Sequence, residues 1–105
     1  MATARAEPVT ILGFGHSLMA GYGLPDGDAF PTRLEAALRA AGHDVTLVNA
    51  GVSGDTTAGG ASRLAWSLSE QPDAAIVELG GNDGLRGIPT ADTRRNLESI
   101  LTALA

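Results

Sequence analysis

Three short apolar runs set the frame of this sequence: Val9-Thr10-Ile11-Leu12, Val45-Thr46-Leu47-Val48 and Ala74-Ala75-Ile76-Val77-Glu78-Leu79. Each is followed by glycines and then by a segment of helical spacing, and their length and β-branching suit buried strands. After the first, Phe30, Leu34, Ala37, Leu38 and Ala41 place apolar side chains on one helical face, with Asp28 and Pro31 near the start and Gly42 at the end. After the second, a helix is predicted from near Thr56 or Thr57, burying Ala61, Leu64, Ala65 and Leu68 before Pro72 stops it. After the third, a last helix starts beyond Pro89 with Thr90 as its cap, Asp92 in the positive first turn and Leu97, Ile100, Leu101 and Leu104 inward. Alternating strand and helix is the pattern of an open parallel sheet wrapped by right-handed crossovers. Such sheets normally run to five or six strands covered on both faces, so about three strands read as part of a sheet.

The chain has 105 residues, room for one domain. Its net charge is −5 and all seven cations are arginines, dispersed except for Arg94-Arg95. No basic stripe exists to neutralise phosphates, so nucleic acid and anionic membranes are poor partners. Without cysteine there is no disulfide, thiolate nucleophile or sulfur-ligated metal, and the isolated His16 and His43 argue against a histidine metal site. No apolar run approaches the roughly 18 residues of a membrane span. Ala4-Arg5-Ala6 before Glu7-Pro8 has the small-x-small form of a signal-cleavage site, which would make residues 1–8 the stub of an export signal and the protein periplasmic or secreted. Read as an alanine-rich tail, the same residues leave it cytoplasmic.

In a parallel sheet every strand-to-helix loop emerges at the carboxyl edge, where ligands bind. Here those loops are Gly13–Gly21, Asn49–Thr57 and Gly80–Gly84. A dinucleotide site fails because Leu18 stands where the third glycine belongs and no acidic residue ends the second strand. A Walker loop fails for want of any lysine, and a nucleophile elbow fails because Met19 stands two residues after Ser17. What remains is Ser17 just past the first strand, facing loops rich in backbone N–H groups and one asparagine amide. These are parts for an oxyanion hole, which needs two or three donors already aimed at the developing charge. Gly54, lacking a Cβ, can bring its N–H close, and Asn82 can offer its side-chain amide. The same residue types also build ordinary turns, and the residues alone leave both readings open.

Gly15-His16-Ser17-Leu18 within Phe14–Gly21, Asn49-Ala50-Gly51-Val52-Ser53-Gly54-Asp55-Thr56, and Val77-Glu78-Leu79-Gly80-Gly81-Asn82-Asp83-Gly84-Leu85-Arg86-Gly87 resemble the first three motif blocks of the SGNH hydrolases, also called GDSL esterases or lipases. They are most similar to the bacterial thioesterase I, lysophospholipase and arylesterase branch, and the resemblance runs from Val9 to Ala105. It implies a flavodoxin-like three-layer α/β/α sandwich with a parallel sheet, of which residues 1–105 form an incomplete, N-terminal part of a single domain. It also implies Ser17 as nucleophile, Gly54 and Asn82 as oxyanion donors with the Ser17 backbone N–H as a third, and no cofactor or metal. Small acyl esters or thioesters would then be cleaved through an acyl-enzyme.

Two departures stand out. His16 occupies the position where the family has aspartate, and reach alone argues against its serving its neighbour Ser17 as base, so it is expected to line the loop. The family's Asp-x-x-His block has no counterpart after Asn82, and His43, in a helix-to-strand turn, belongs at the opposite edge of the sheet. A serine without its base is a weak nucleophile, so this chain alone is expected to be nearly inactive. A rival reading makes it a truncated paralogue acting as a binding module or self-associating through an uncovered sheet edge. Among other residues, Asp55 and Asp83 are expected to accept loop N–H groups or cap helices. Glu78, the one charge in an apolar strand, needs a partner, with Arg63 and Arg86 the candidates. Trp66 is expected in the core or at its rim, and Tyr22, Leu24 and Pro25 either line an acyl pocket or pack the loop.

Overall fold

A computed structural model describes residues 8–25 and 27–105, so the export-signal reading of Ala4-Arg5-Ala6 lies outside the described residues. Three parallel strands, β1 (Val9–Gly15), β2 (Val45–Gly51) and β3 (Ala74–Glu78), form a sheet in the order β2-β1-β3. The helices are α1 (Ser17–Ala20), α2 (Phe30–Ala40), α3 (Thr57–Ser67), α4 (Gly81–Leu85) and α5 (Thr90–Leu104), with a 3-10 turn at Leu68–Glu70.

Alternation along β1 explains the layering. Leu12 and Phe14, both fully buried, face Leu64 of α3 and Ile100 of α5. Gly13 turns the other way, where a Cβ would lie 3.3 Å from Pro31 of α2 and also crowd Met19 of α1. Helices therefore cover both faces, as expected of an α/β fold. Burying a side chain the size of leucine or phenylalanine contributes about 1.5–3 kcal/mol, so this small central cluster holds the layers together.

The strands run further than their apolar runs. β1 continues through Gly13-Phe14-Gly15 and β2 through Asn49-Ala50-Gly51, segments read from sequence as loop, because the main-chain ladder carries on to the register Gly15↔Gly51 and Gly15↔Glu78. Most of the Gly80–Gly84 segment, also read as loop, belongs to the short helix α4. Gly42 ends α2 as anticipated: at φ +95° it lets its own N–H reach Arg39 O at 3.0 Å while His43 N–H reaches Leu38 O at 3.0 Å. Thr56 caps α3 by accepting the Gly59 N–H at 3.2 Å. No side chain caps α5, so Thr90 is its first residue instead of its cap. Leu101 and Ala65, predicted inward, are exposed, as are Phe30, Ala37 and Ala41. The buried residues of α3 and α5 are Thr57, Gly60, Leu64, Ser67 and Ile100, flanked by half-buried Ala61, Leu104 and, in the 3-10 turn, Leu68.

The strand order places a functional edge. The chain leaves β1 for β2 on one side and later returns to β3 on the other, so the loops after β1 and β3 diverge at the carboxyl edge, the usual position of a ligand crevice in open α/β sheets.

Candidate active site

Gly51, Gly15 and Glu78 stand in one row across the sheet, and the three candidate residues follow close behind them. Ser17 comes two residues after Gly15 as the first residue of α1, half-buried, its carbonyl accepting the N–H groups of Gly21 (3.0 Å) and Tyr22 (3.1 Å). α1 rests on β2 so closely that a Cβ on Gly51 would fall on the main chain of Met19 and Ala20. Gly54, exposed and at φ +80°, occupies the left-handed region that favours glycine. Asn82, half-buried on α4, donates from Nδ2 to the carbonyl of Asp55 at 2.8 Å, which joins the third loop to the second and leaves one amide hydrogen of Nδ2 uncommitted among the described residues. Arg86 extends the same link by donating from Nη2 to the Gly54 carbonyl at 2.9 Å. The first loop is tied to the second in turn by Val52 N–H, which donates to Gly15 O at 3.0 Å.

Arg63 lies beneath this edge. Its guanidinium donates to Asp55 Oδ2 (2.7 Å), Ala50 O (2.8 Å) and Gly15 O (3.1 Å), and stacks 4.2 Å over the ring of Phe14. One planar cation thus satisfies acceptors on three segments, geometry that suits arginine and not lysine. Arg63 is therefore not the partner of Glu78, and neither is Arg86. That partner is His16, whose Nε2 lies 2.5 Å from Glu78 Oε2. The other ring nitrogen, Nδ1, accepts the Leu18 N–H at 3.4 Å. With both nitrogens so engaged, His16 lines the loop and is not aimed at Ser17.

Asp83 is buried and answers the expectation that it accepts loop donors. It takes the Thr57 N–H (2.8 Å), the Thr57 hydroxyl (2.5 Å) and the Thr93 hydroxyl (2.8 Å), while Asn96 donates to Thr57 Oγ1 at 3.1 Å. Burial pushes its carboxyl upward, but the hydrogen bonds from Thr57 and Thr93 outweigh that and hold its pKa below the ordinary value. The network locks α4, and with it Asn82, to α3 and α5. Asp55, expected to accept loop N–H groups or cap a helix, instead pairs with Arg63.

Other residues take less part. His43 is exposed in the turn before β2, at the opposite edge. Trp66 is 83% exposed, neither core nor covered rim. Tyr22 and Leu24 are exposed too. Among the described residues no three His, Asp or Glu side chains gather where a metal would sit, and no helix is long and apolar enough to cross a membrane. Spacing does not announce the roles of Arg63, Thr57 and Thr93. Glu78, a charge in an apolar strand, and His16, at the family's aspartate position, do carry a visible signal.

Comparison with known proteins bears on this arrangement. Residues 14–105 match the GDSL-like Lipase/Acylhydrolase family. An arylesterase of Vibrio mimicus is 42% identical over 104 residues, 98% of this chain and 51% of that protein. Esterase TesA of Pseudomonas aeruginosa is 42% identical over 101 residues, 95% of this chain and 50% of that protein. The chain thus spans about half the length of these relatives. Among solved structures, the SGNH-hydrolase family esterase AlinE4 superposes with a TM-score of 0.87 at 53% identity, covering 96% of this chain and 55% of that one.

Proposed function

Because the chain belongs to the GDSL-like Lipase/Acylhydrolase family, we propose that the protein carrying it hydrolyses small carboxylic esters and thioesters through an acyl-enzyme, with Ser17 as nucleophile. Ser17 Oγ attacks the acyl carbonyl, and the oxyanion that forms is met by the Gly54 N–H, the uncommitted Asn82 Nδ2–H and the Ser17 N–H. Collapse of the tetrahedral intermediate breaks the bond to the alcohol or thiol, and water then releases the acid. The observation that carries this reading is the Asn82-to-Asp55 hydrogen bond, which draws the second and third loops together at the edge where Ser17 begins α1. The arylesterase and esterase relatives support an ester as substrate. The proton of Ser17 needs an acceptor other than His16, whose nitrogens are engaged, or His43, which lies at the far edge.

Hydrolysis of a short aryl ester by the intact protein, compared with its Ser17→Ala variant, tests the proposal. Turnover that disappears in the variant supports it, and equal turnover in both refutes it. A second reading, a self-associating module, is favoured by one feature. Among the described residues β3 has a strand on one side only, and beside it Leu18, Met19, Phe30, Ile76 and Val77, with Glu78 at the end of β3, line a mostly apolar hollow of about 410 Å³. It predicts a concentration-dependent dimer by sedimentation together with no esterase activity.

A further inference from the structure

We propose that Glu78 is a positioning residue for Ser17, acting through His16; this rests on Ser17 being the nucleophile. His16 is the N-cap of α1, the helix whose first residue is Ser17. Caps are usually Ser, Thr, Asp or Asn, because a side-chain oxygen accepts the free N–H two or three residues on. Here the acceptor is the imidazole Nδ1, which takes the Leu18 N–H, and an imidazole nitrogen can accept only if it carries no proton. Which nitrogen carries the proton is set by the partner of the other one. That partner is the Glu78 carboxylate, 2.5 Å from Nε2, which only accepts and so holds the proton on Nε2.

The surroundings are shaped for this pair. Both side chains are largely shielded, 10% exposed for His16 and 33% for Glu78. At Gly15 a Cβ would come within 2.8 Å of Glu78 Oε1, and at Gly81 one would come within 3.3 Å of His16 Nε2. Two glycines thus leave the room that the carboxylate and the ring fill. The Glu78 atom Oε1 is buried without a hydrogen-bond partner among the described residues, so the carboxylate is held by its bond to His16 and not by a network of its own. Glu78 ends β3 and leads within four residues to Asn82, so the pair spans the crevice between the Ser17 loop and the loop of the proposed oxyanion donor.

Nitrogen NMR of the His16 ring in the intact protein, near neutral pH, reads the tautomer directly. The expected spectrum has a protonated Nε2 and a bare Nδ1, and Glu78→Ala is expected to mix the two tautomers. Aryl-ester kinetics give the second readout: Glu78→Ala lowers kcat about tenfold with KM within about twofold, as a small misplacement of a nucleophile does. Glu78→Gln, which keeps an acceptor oxygen, restores most of the loss. In a His16→Asn background, where the cap oxygen has no tautomer to fix, Glu78→Ala costs less than about twofold. A ring protonated on Nδ1 in the wild type, or a Glu78→Ala effect equally large in both backgrounds, overturns the proposal. If Ser17→Ala retains turnover, the functional reading falls instead, and the ring spectrum still decides whether Glu78 sets the tautomer.

Discussion

Replacing Arg63 by methionine removes the cation that holds the ends of β1 and β2 to the turn at Asp55 while keeping an unbranched stem over Phe14. The dominant loss is at Asp55, whose side chain is only 9% exposed and whose carboxylate would be left without its charge partner. Stranding a buried ion this way costs about 3–5 kcal/mol, and the 23% exposure of the arginine side chain argues for the lower end, about 3 kcal/mol. The Gly15 carbonyl keeps the Val52 N–H at 3.0 Å and loses little. The Ala50 carbonyl loses its Arg63 donor, about 1 kcal/mol, and the contact with the Phe14 ring forfeits roughly 0.5 kcal/mol. The expected cost is therefore about 4–5 kcal/mol, a large fraction of the 5–15 kcal/mol that holds a typical domain folded. In urea, with a slope of about 2 kcal/mol/M, the midpoint should fall by about 2 M. Adding Asp55→Asn removes the stranded charge and should return about half of the loss. A midpoint shift under about 0.5 M for Arg63→Met, or a double variant no more stable than Arg63→Met, would refute the view that one buried ion pair fastens these loops.

Other expectations follow from the same geometry. Asn82→Ala should lower kcat on an aryl ester by about 10²–10³ if its free amide hydrogen meets the oxyanion, and should cost about 1 kcal/mol in denaturation through the lost bond to Asp55; a kcat within threefold of wild type would remove Asn82 from the site. The Asp83 pKa is lowered by folding, so the stability it contributes is present above the ordinary carboxylate range and is lost as pH falls below about 4 toward its folded pKa. Denaturation between pH 5 and pH 2 should show a shallower acid limb for Asp83→Asn than for wild type, and parallel limbs would contradict the assignment.

How much of this was readable beforehand depended on where the deciding information lies. The strands declared themselves because branched apolar side chains favour a pleated, buried surface whatever their neighbours. Their continuation through Gly13-Phe14-Gly15 and Asn49-Ala50-Gly51 did not, because those residues are held by a ladder whose other half is remote in sequence. That Ser17, Gly54 and Asn82 lie at one edge of the sheet could be read from their loops, since topology puts every strand-to-helix loop there. The oddity of Glu78 was visible, yet its partner was not: choosing His16 over Arg63 or Arg86 requires knowing that Gly15 and Glu78 are ladder neighbours. The outward turn of Leu101 and Ala65 was hidden for a related reason. Helical spacing tells which side chains share a face but not how wide the opposing surface is.

The bare backbone of Gly51, against which Met19 and Ala20 lie, divides the neighbourhood of Ser17 into two regimes of tolerance. Below, chain presses on chain with no rotamer to yield, so even a methyl group must shift the whole turn. Above, Leu18, Tyr22 and Leu24 stand in solvent and bear none of that load. Side chains at these three places can therefore vary with the platform beneath the serine left as it is.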